Sequence, residues 1–456
     1  MPIILPPLVE LLPWVYAFAL IPASLLHTRE HFWWSARGAG YLGLSLVLLA
    51  WLQAALNEQN DDRLGLAMAG LISVLALVII DYSRRYLEGE LGQQRYVLAL
   101  LGTLAAVATV VTSTDLIVLV GAWIFSSLCL HQLLTFYRDR PQALVVAHKK
   151  FLASRLADVC LLLATGLLVH AGGDSSIAVI LDAVNSRLQT SGQLGWDLQM
   201  AALLLALAVI LKSAQLPVHG WLIQVVEAPT PVSALLHAGI INLGGILLLL
   251  FAPLLAYSTI ASTLLLVAAL VSTVLAALIM GTRISIKVRL AWSTVAQMGL
   301  MLVEIALGLY TLALLHLLAH SCYKAYAFLH SGNAVNHYLA AQLAGQTQPR
   351  AWHWLLSLLL AAGLLGLTQQ LLAFSSLSSA VLLLLAITVL LAPAVMTADK
   401  RRIPRLLLAL GYVALLLGHW GPGGFGSLAE DCMSTNGLPD SLAGWFGAFA
   451  AAPCAP

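Results

Sequence analysis

The sequence predicts an all-α membrane protein, a bundle of about 14 transmembrane helices. Of its 456 residues, 61% are hydrophobic and only 9% are charged, against roughly 25% charged residues in an average soluble domain. This composition excludes a soluble globular protein, a nucleic-acid-binding protein and a disordered chain. The apolar runs are long and show no alternating β pattern, so the predicted spans are helices and not barrel strands.

The apolar segments divide the chain into spans and short connections. The predicted spans lie at about 5–26, 38–56, 64–83, 97–113, 115–136, 151–171, 198–217, 230–253, 257–281, 288–308, 310–332, 353–368, 375–396 and 403–420. We expect one transmembrane domain over residues 1–420 and a short Gly-rich tail over residues 421–456. The longest polar segments, 172–197 and 333–352, are predicted to be loops. The first span lacks the features of a cleaved signal peptide and is expected to be retained.

The basic residues predict the orientation, because Lys and Arg favour cytoplasmic loops. With the N-terminus outside, eighteen of the 22 basic residues fall on inner loops and flanks. These are Arg29, Arg37, Arg84, Arg85, Arg95, Arg138, Arg140, Lys149, Lys150, Arg155, Arg283, Lys287, Arg289, Arg350, Lys400, Arg401, Arg402 and Arg405. Arg63 and Arg187 fall outside, and Lys212 and Lys324 lie within spans. We therefore expect a multi-pass protein of a bacterial inner membrane, with both termini outside.

The cysteines and short motifs predict no cofactor in this chain. Cys129, Cys160 and Cys322 lie in apolar runs and are expected to be packing residues. Cys432 and Cys454 lie in the tail and would face an oxidising compartment. A disulfide bond between them and two free thiols are equally good expectations. No Cys/His spacing of a metal site and no phosphate-binding glycine motif occurs in the sequence.

Lys212 and His237 lie inside predicted spans, and ionisable residues at such positions indicate ion pathways. Lys212 precedes Pro217, and a proline interrupts a helix and exposes backbone polar groups to a water-filled cavity. The alternative is that Lys212 extends to the inner interface. His237 lies about two turns into the next span, where a group that titrates near neutrality suits proton transfer. A hydrogen-bonded structural histidine is the alternative.

A stripe of basic residues lies in the eleventh span. His316, His320 and Lys324 are four residues apart, so they share one helix face and indicate a proton wire. In the sixth span, Arg155 and Asp158 are placed to pair, and Asp158 could also neutralise Lys212 from a neighbouring helix. A purely structural pair is an equally good interpretation of Asp158.

Other ionisable residues are weaker candidates. His131 lies in the fifth span, where packing and a pathway role are equally good interpretations. Glu304 and Glu10 are expected to be isolated near the outer interface. Asp115 is expected to cap the helix that follows it.

The segments LKSAQLPVHGW and APTPVSALLHA resemble the signature of the proton-translocating antiporter-like membrane subunits of respiratory complex I and of multi-subunit sodium/proton antiporters. The match continues in SIKVRLAWSTVAQMG and HLLAHSCYKAYAFL and covers about residues 70–333. The resemblance implies a bundle of fourteen helices with inverted repeats, each with a broken helix, and a chain of buried Lys, His and acidic groups.

The family's functional positions map onto residues of this sequence. The resemblance implies that Lys212 is the central broken-helix lysine, His237 its partner on the next helix and Lys287 the connecting lysine. It also places His316, His320 and Lys324 at later relay positions and Asp158 at an acidic position.

The sequence departs from the respiratory subunits at three places. Trp123-Ile124-Phe125 replaces a pattern with a fifth-helix glutamate, and His131 is a candidate replacement two turns further along. Ser285 stands where the family often has aspartate. Residues 353–380 contain no lysine, although the family's second broken helix has one.

DYSRRYLEGELGQQRY and LTFYRDRPQALVVAHKKFLASRLADV resemble the DabB branch, the membrane subunits of two-component inorganic carbon (CO2/bicarbonate) accumulation systems. The resemblance implies a non-enzymatic subunit that conducts cations, protons in preference to sodium, and energises a DabA-like partner. That partner would hold a carbonic-anhydrase-like zinc site on the cytoplasmic side. Membrane lipid would be the second partner. No nucleic acid is expected to bind. The alternatives are a proton-pumping subunit of a complex I-like redox complex and a cation/proton antiporter subunit.

Overall fold

The computed structural model describes residues 8–26, 28–56 and 63–333, with scattered residues between 339 and 362. The chain divides into two compact units, Met1–His337 and Tyr338–Pro456. The helices of the first unit are α1 Leu12–Leu25, α2 Arg29–Leu56, α3 Arg63–Tyr86, α4 Gln93–Thr112, α5 Leu116–Leu134, α6 Pro141–Gly172, α7 Ile177–Ser191, α8 Trp196–Lys212, α9 Gly220–Gln224, α10 Thr230–Ala238, α11 Leu243–Leu250, α12 Ala252–Ala256, α13 Thr259–Gly281, α14 Ile286–Ala306 and α15 Tyr310–Leu329.

Ten helical segments of the described residues are long and apolar enough to cross a membrane. Each predicted span up to residue 332 corresponds to one of them, except the seventh. That span is represented by α8, which has only 17 residues because the helix ends at Lys212. The predicted spans at 375–396 and 403–420 lie outside the described residues, as do Cys432 and Cys454, and only scattered positions of 353–368 are described.

Two predicted helix boundaries were wrong. The segment 172–197, expected to be a loop, contains α7, a helix of 15 residues. Its apolar residues face inward every three or four positions, but they are too few for a membrane span. Helix α6 begins at Pro141, well before the predicted start at residue 151, and runs for 32 residues. The polar segment before residue 151 is therefore helical, and Lys150 lies within the bundle and not on a loop.

The helices differ in how far they are enclosed. In α4 and in the segment Thr230–Leu250, 78% and 83% of the apolar window is buried, so these elements form the centre of the first unit. In α1 and α13 the buried share is only 17% and 22%. The outward apolar side chains of such peripheral helices form the surface that lipid covers, because water has no access to the bilayer core. The protein is thus a multi-pass membrane protein.

Two interruptions lie near the centre of the bundle. Helix α8 ends at Lys212 and the chain resumes as α9 at Gly220, on either side of Pro217. Between them, the Leu216 N–H donates to Ser272 Oγ on α13 at 3.0 Å, so a side chain replaces a helical acceptor. The second interruption is a short 3-10 turn at Ile240–Asn242, which separates α10 from α11. Irregular backbone of this kind is tolerated in a membrane only where protein or a polar cavity surrounds it.

A carboxylate outside the spans fixes the beginning of α5. The Asp115 side chain accepts a hydrogen bond from the Val118 N–H at 2.9 Å, so the expected helix cap is present. Ser175 also donates its hydroxyl to this carboxylate. The hydrogen bonds from Ser175 and Val118 hold the pKa of Asp115 below its usual value. The cap therefore remains charged at neutral pH and complements the helix dipole.

Candidate functional site

The first buried polar cluster surrounds the end of α8. Lys212 Nζ lies 3.1 Å from Asp158 Oδ1 on α6, and Arg155 Nη2 lies 2.7 Å from Asp158 Oδ2. The side chains of Lys212 and Asp158 are only 13% and 5% exposed, so the pair is shielded from solvent. Lys212 therefore faces protein and does not extend to the interface. Removing one partner of such a pair leaves an uncompensated charge.

A small cavity with room for about one water molecule lies beside this pair. Lys150, on α6, also faces the cavity and is 4% exposed. Its Nζ donates to the backbone oxygen and the hydroxyl of Ser127 at 3.1 and 2.9 Å. The Lys212 Nζ lies 5.5 Å from the centre of the Trp123 ring, within the range of a cation–π contact. The lining residues are Trp123, Ser126, Ser127, Leu130, Lys150, Ser154, Lys212, Trp221, Leu236, Ile240 and Ile241.

The helical repeat explains why α6 presents these groups together. Lys150, Ser154 and Asp158 are four residues apart, so they lie on one face. All three are buried. Leu152 and Leu156, on the opposite face, are 68% and 57% exposed. Helix α6 thus directs a polar face inward and an apolar face toward lipid.

The second buried cluster lies where α10, α14 and α15 meet. His237 is fully buried, with Nδ1 3.0 Å from Thr294 Oγ1 and its ring stacked on Phe328 at 4.3 Å between centres. Lys324 is also fully buried. Its Nζ donates to the Leu290 backbone oxygen at 3.0 Å and to the Ser293 hydroxyl. Both side chains therefore face the same inner surface of α14.

The stripe on α15 continues from Lys324 toward a carboxylate. The His316 and His320 rings lie 6.3 Å apart between centres. His316 Nδ1 lies 3.0 Å from Glu304 Oε2, and Nε2 lies 2.8 Å from Gln297 Oε1. The expectation that Glu304 is isolated was wrong, because the turn between α14 and α15 brings it back against His316. His316 therefore contacts an oxygen atom at each of its ring nitrogens.

Helix α10 separates the two clusters. Leu236 lines the Lys212 cavity, whereas the next residue, His237, belongs to the second cluster. Within the described part of the chain, several buried polar atoms near the two breaks have no hydrogen-bond partner. They are Ser213 Oγ, Gln215 Oε1, Ser233 Oγ, His237 Nε2, Asn242 Oδ1 and both ring nitrogens of His320. Buried polar atoms require partners, and water is small enough to provide them along such a path.

Two other predicted pathway residues lie apart from these contacts. Lys287, in the first turn of α14, donates to Thr230 Oγ1 at 2.9 Å and so links α14 to the start of α10. The His131 ring packs against His148 and Phe151, with centres 5.5 and 5.2 Å apart. His131 is not among the residues that line the Lys212 cavity.

Sequence reasoning missed Lys150 and Glu304. Lys150 was counted among the residues of the inner flank because it lies beside the polar Lys149. Its spacing from Ser154 and Asp158 was the signal that would have placed it on the buried face. Glu304 had no such signal, because its partner His316 lies across a turn.

The family is identified by a model of the NADH:quinone oxidoreductase/Mrp antiporter transmembrane domain, which matches residues 113–348. The probable inorganic carbon transporter subunit DabB of Hydrogenovibrio crunogenus is 48% identical over 356 residues, covering 75% of this chain and 68% of that protein. The chain belongs to this antiporter-like family and, within it, to the DabB subunits. Subunit DabB2 of Halothiobacillus neapolitanus is 45% identical over 67% of this chain and 54% of that protein.

A solved structure supports the antiporter-like fold. The Mrp complex from Dietzia sp. DQ12-45-1b contains a chain that superposes with a TM-score of 0.62 and 23% identity over 92% of this chain. This likeness concerns the fold alone. The chain spans 51% of that antiporter chain, and between 54% and 68% of the two DabB relatives.

Proposed function

We propose that this chain is the ion-conducting membrane subunit of an inorganic carbon transporter. In this proposal, protons that move inward through the chain energise CO2/bicarbonate accumulation by a partner subunit. The DabB relatives are named as probable inorganic carbon transporter subunits. The observation that supports ion conduction is the buried Lys212–Asp158 pair at the interrupted helix, with Nζ and Oδ1 3.1 Å apart.

Asp158 has two basic partners, and this suits a reversible switch. When Lys212 is protonated, Asp158 contacts both Lys212 and Arg155. When Lys212 releases its proton, Asp158 still has Arg155 at 2.7 Å, and a guanidinium does not deprotonate in proteins. Neither state leaves the buried carboxylate without a counter-charge. Proton release from Lys212 therefore avoids the large penalty of an unpaired buried ion.

The second cluster supplies a route between Lys212 and the outer side. Glu304 and His316 lie near the α14–α15 turn, which the distribution of basic residues places outside. His320 and Lys324 follow on the same face of α15, toward His237 on α10. Basic side chains of this kind exchange protons, whereas sodium ions prefer oxygen ligands, so the proton is the favoured ion. Moving one charge through 100 mV supplies about 2.3 kcal/mol, more than a tenfold shift in an equilibrium.

The partner in this proposal is a DabA-like subunit on the cytoplasmic side of a bacterial inner membrane, with both termini of this chain outside. The zinc and the carbonic-anhydrase-like chemistry would belong to the partner. This chain would then have no enzymatic activity of its own. The names of the relatives as subunits support a partner, and the predicted basic inner loops support its place on the cytoplasmic side.

The test uses the chain co-expressed with its partner in a bacterium that lacks carbonic anhydrase and needs added CO2. Growth in air and uptake of labelled bicarbonate are measured with ionophores that collapse either the proton or the sodium gradient. We expect Lys212→Met to abolish uptake while the partner still co-purifies. Lys149→Met is the matched control, because Lys149 is exposed and bonds only to the Gln224 side chain among the contacts that the structure shows.

Full uptake by Lys212→Met would contradict the proposed switch. Uptake that survives collapse of the proton gradient but not of the sodium gradient would identify the ion as sodium. Co-purification with quinone-linked or iron–sulfur subunits in place of a zinc-binding partner would favour the redox complex.

A further inference from the structure

The Lys212 cavity has a second lysine that the proposed switch does not use. Lys150 is 4% exposed and lines the same cavity, yet no carboxylate lies against its Nζ among the described residues. Its contacts are the backbone oxygen and hydroxyl of Ser127. Burying a charged lysine costs free energy, and the cost is larger without a counter-charge. A role in packing alone is therefore a poor explanation for Lys150.

The number of charges around the cavity limits how many can be present at once. Lys150, Lys212 and Arg155 are three basic groups that share a single carboxylate, Asp158. His131, on α5, is a further titratable group near Lys150, and His148 on α6 packs against its ring. Arg155 stays charged and already offsets the charge of Asp158, so each protonated lysine adds a net positive charge to the cavity. The arrangement therefore favours states in which only one of the two lysines is protonated.

The surroundings of Lys150 accommodate both protonation states. A charged Lys150 donates to the Ser127 backbone oxygen and hydroxyl, at 3.1 and 2.9 Å. A neutral Lys150 can keep the first bond and accept a hydrogen bond from the same hydroxyl, because a serine O–H rotates and is both donor and acceptor. Lys212, by contrast, is paired with a carboxylate that favours its charged form.

Lys150 also lies further along the proposed direction of ion movement. It precedes Asp158 by two turns of α6, which corresponds to about 12 Å along the helix axis. The basic residues place the beginning of α6 on the inner side. A proton on Lys150 is therefore closer to the inner surface than a proton shared between Lys212 and Asp158.

We propose that Lys150 is a second proton-carrying group of this chain, which accepts the proton that Lys212 releases into their shared cavity. An N–H bond breaks at Lys212 and an N–H bond forms at Lys150, and a water molecule in the cavity relays the proton. One positive charge moves inward and no electrons are transferred. This role rests on the proposed function and deepens it, since it assigns the step that follows the Lys212 switch.

The experiment compares three substitutions of Lys150 in the complete complex with its partner, in the bicarbonate uptake assay. Lys150→Met removes the titratable group and should lower gradient-driven uptake by about 100-fold, the lower range for a positioned proton-transfer group. Lys150→Arg keeps the charge but does not release a proton, so it should be equally inactive. Lys149→Met changes the neighbouring exposed lysine and should retain full uptake.

Lys150→His tests proton transfer directly. Histidine titrates near pH 6.5 and lysine near pH 10.4 in the absence of perturbation, roughly four pH units apart. We expect Lys150→His to retain part of the uptake, with the alkaline limb of its pH profile moved to lower pH. A structural role would leave the pH profile unchanged. The amount of chain and co-purified partner in the membrane normalises every activity, and if Lys150→Met does not accumulate, the Arg and His variants decide.

Three results would overturn the proposal. Wild-type uptake by Lys150→Met would show that the group is not needed. Recovery of uptake by Lys150→Arg would show that a fixed charge is sufficient. A Lys150→His variant with an unshifted pH profile would show that residue 150 does not exchange protons. Failure of the proposed function is distinguishable, because then the wild type and Lys149→Met would also show no gradient-dependent uptake.

Discussion

Asp158→Asn is the most informative single substitution, because it removes the carboxylate and almost nothing of its volume. With Nζ and Oδ1 3.1 Å apart, Coulomb's law at an effective dielectric constant of about 20 gives an attraction of about 5 kcal/mol. Substitutions that break buried ion pairs cost about 3–5 kcal/mol. The charged form of Lys212 should lose a similar stabilisation, and about 1.4 kcal/mol is a factor of ten. We expect ion-coupled bicarbonate uptake at neutral pH to fall by at least about 100-fold.

Asp197→Asn is the matched control for this experiment. Asp197 also pairs with an arginine, Arg187, at 2.7 Å, but the two side chains are 32% and 41% exposed. An exposed ion pair contributes only about 0–1 kcal/mol, so this substitution should leave uptake unchanged. Both variants are measured in vesicles that contain the complex, with an imposed pH gradient and labelled bicarbonate. Co-purification of the partner shows whether assembly is intact.

A double-mutant cycle decides whether the effect of Asp158→Asn acts through Lys212. If the two groups form one unit, adding Lys212→Met to Asp158→Asn should cause little further loss. Near-wild-type uptake by Asp158→Asn would refute the reasoning, since the carboxylate would then not be the counter-charge of the switch. Independent, additive losses in the double variant would refute the claim that these two residues function as a pair.

Two further predictions concern α14. Glu304→Gln removes the carboxylate charge beside His316, and loss of a hydrogen bond to a charged group costs about 1.5–3 kcal/mol. Proton-driven uptake should therefore fall about tenfold or more. Unchanged uptake would exclude Glu304 from the path. Gly299→Ala adds a methyl group that would overlap Thr273 Oγ1 and lie 2.9 Å from a backbone oxygen of α13. This overlap should destabilise the protein by about 1–3 kcal/mol. The solubilised protein should therefore unfold at a lower temperature. Gly281→Ala, where the added carbon meets no atom within 4 Å, is its control and should not lower the unfolding temperature.

The fold was largely predictable because membrane spans depend on a simple physical requirement. A bilayer crossing needs a continuous apolar run of sufficient length, and this property is visible in sequence. The same reasoning made Lys212 and Lys324 visible, since a lysine in an apolar run is rare. The pairing of Lys212 with Asp158 was also anticipated, from the two charges in neighbouring spans. Helix α7 was missed because a short amphipathic helix lacks such a run.

The burial of Lys150 was not predicted from the sequence. The count of basic residues treats a lysine near the end of a span as part of the inner loop, because the sequence does not show where the helix begins. In the structure, α6 starts at Pro141, so Lys150 lies more than two turns inside it. The direction of the Lys150 side chain depends on α5, which contributes Ser127, and on α8, which contributes Lys212 to the cavity. Glu304 was misjudged for a different reason, since the α14–α15 turn determines its contact with His316.

The distribution of carboxylates bears on the proposed movement of protons through the two clusters. Each cluster has one buried carboxylate, Asp158 or Glu304, and several basic side chains around it. While a proton moves among the bases of one cluster, the net charge of that cluster is constant, so the cost of a buried charge changes little. Transfer across α10, between His237 and Lys212, is different because it changes the net charge of both clusters. In the proposed route, this step therefore carries the largest change in the cost of buried charge, and the interrupted backbone around it is where a change in conformation would control the passage of protons.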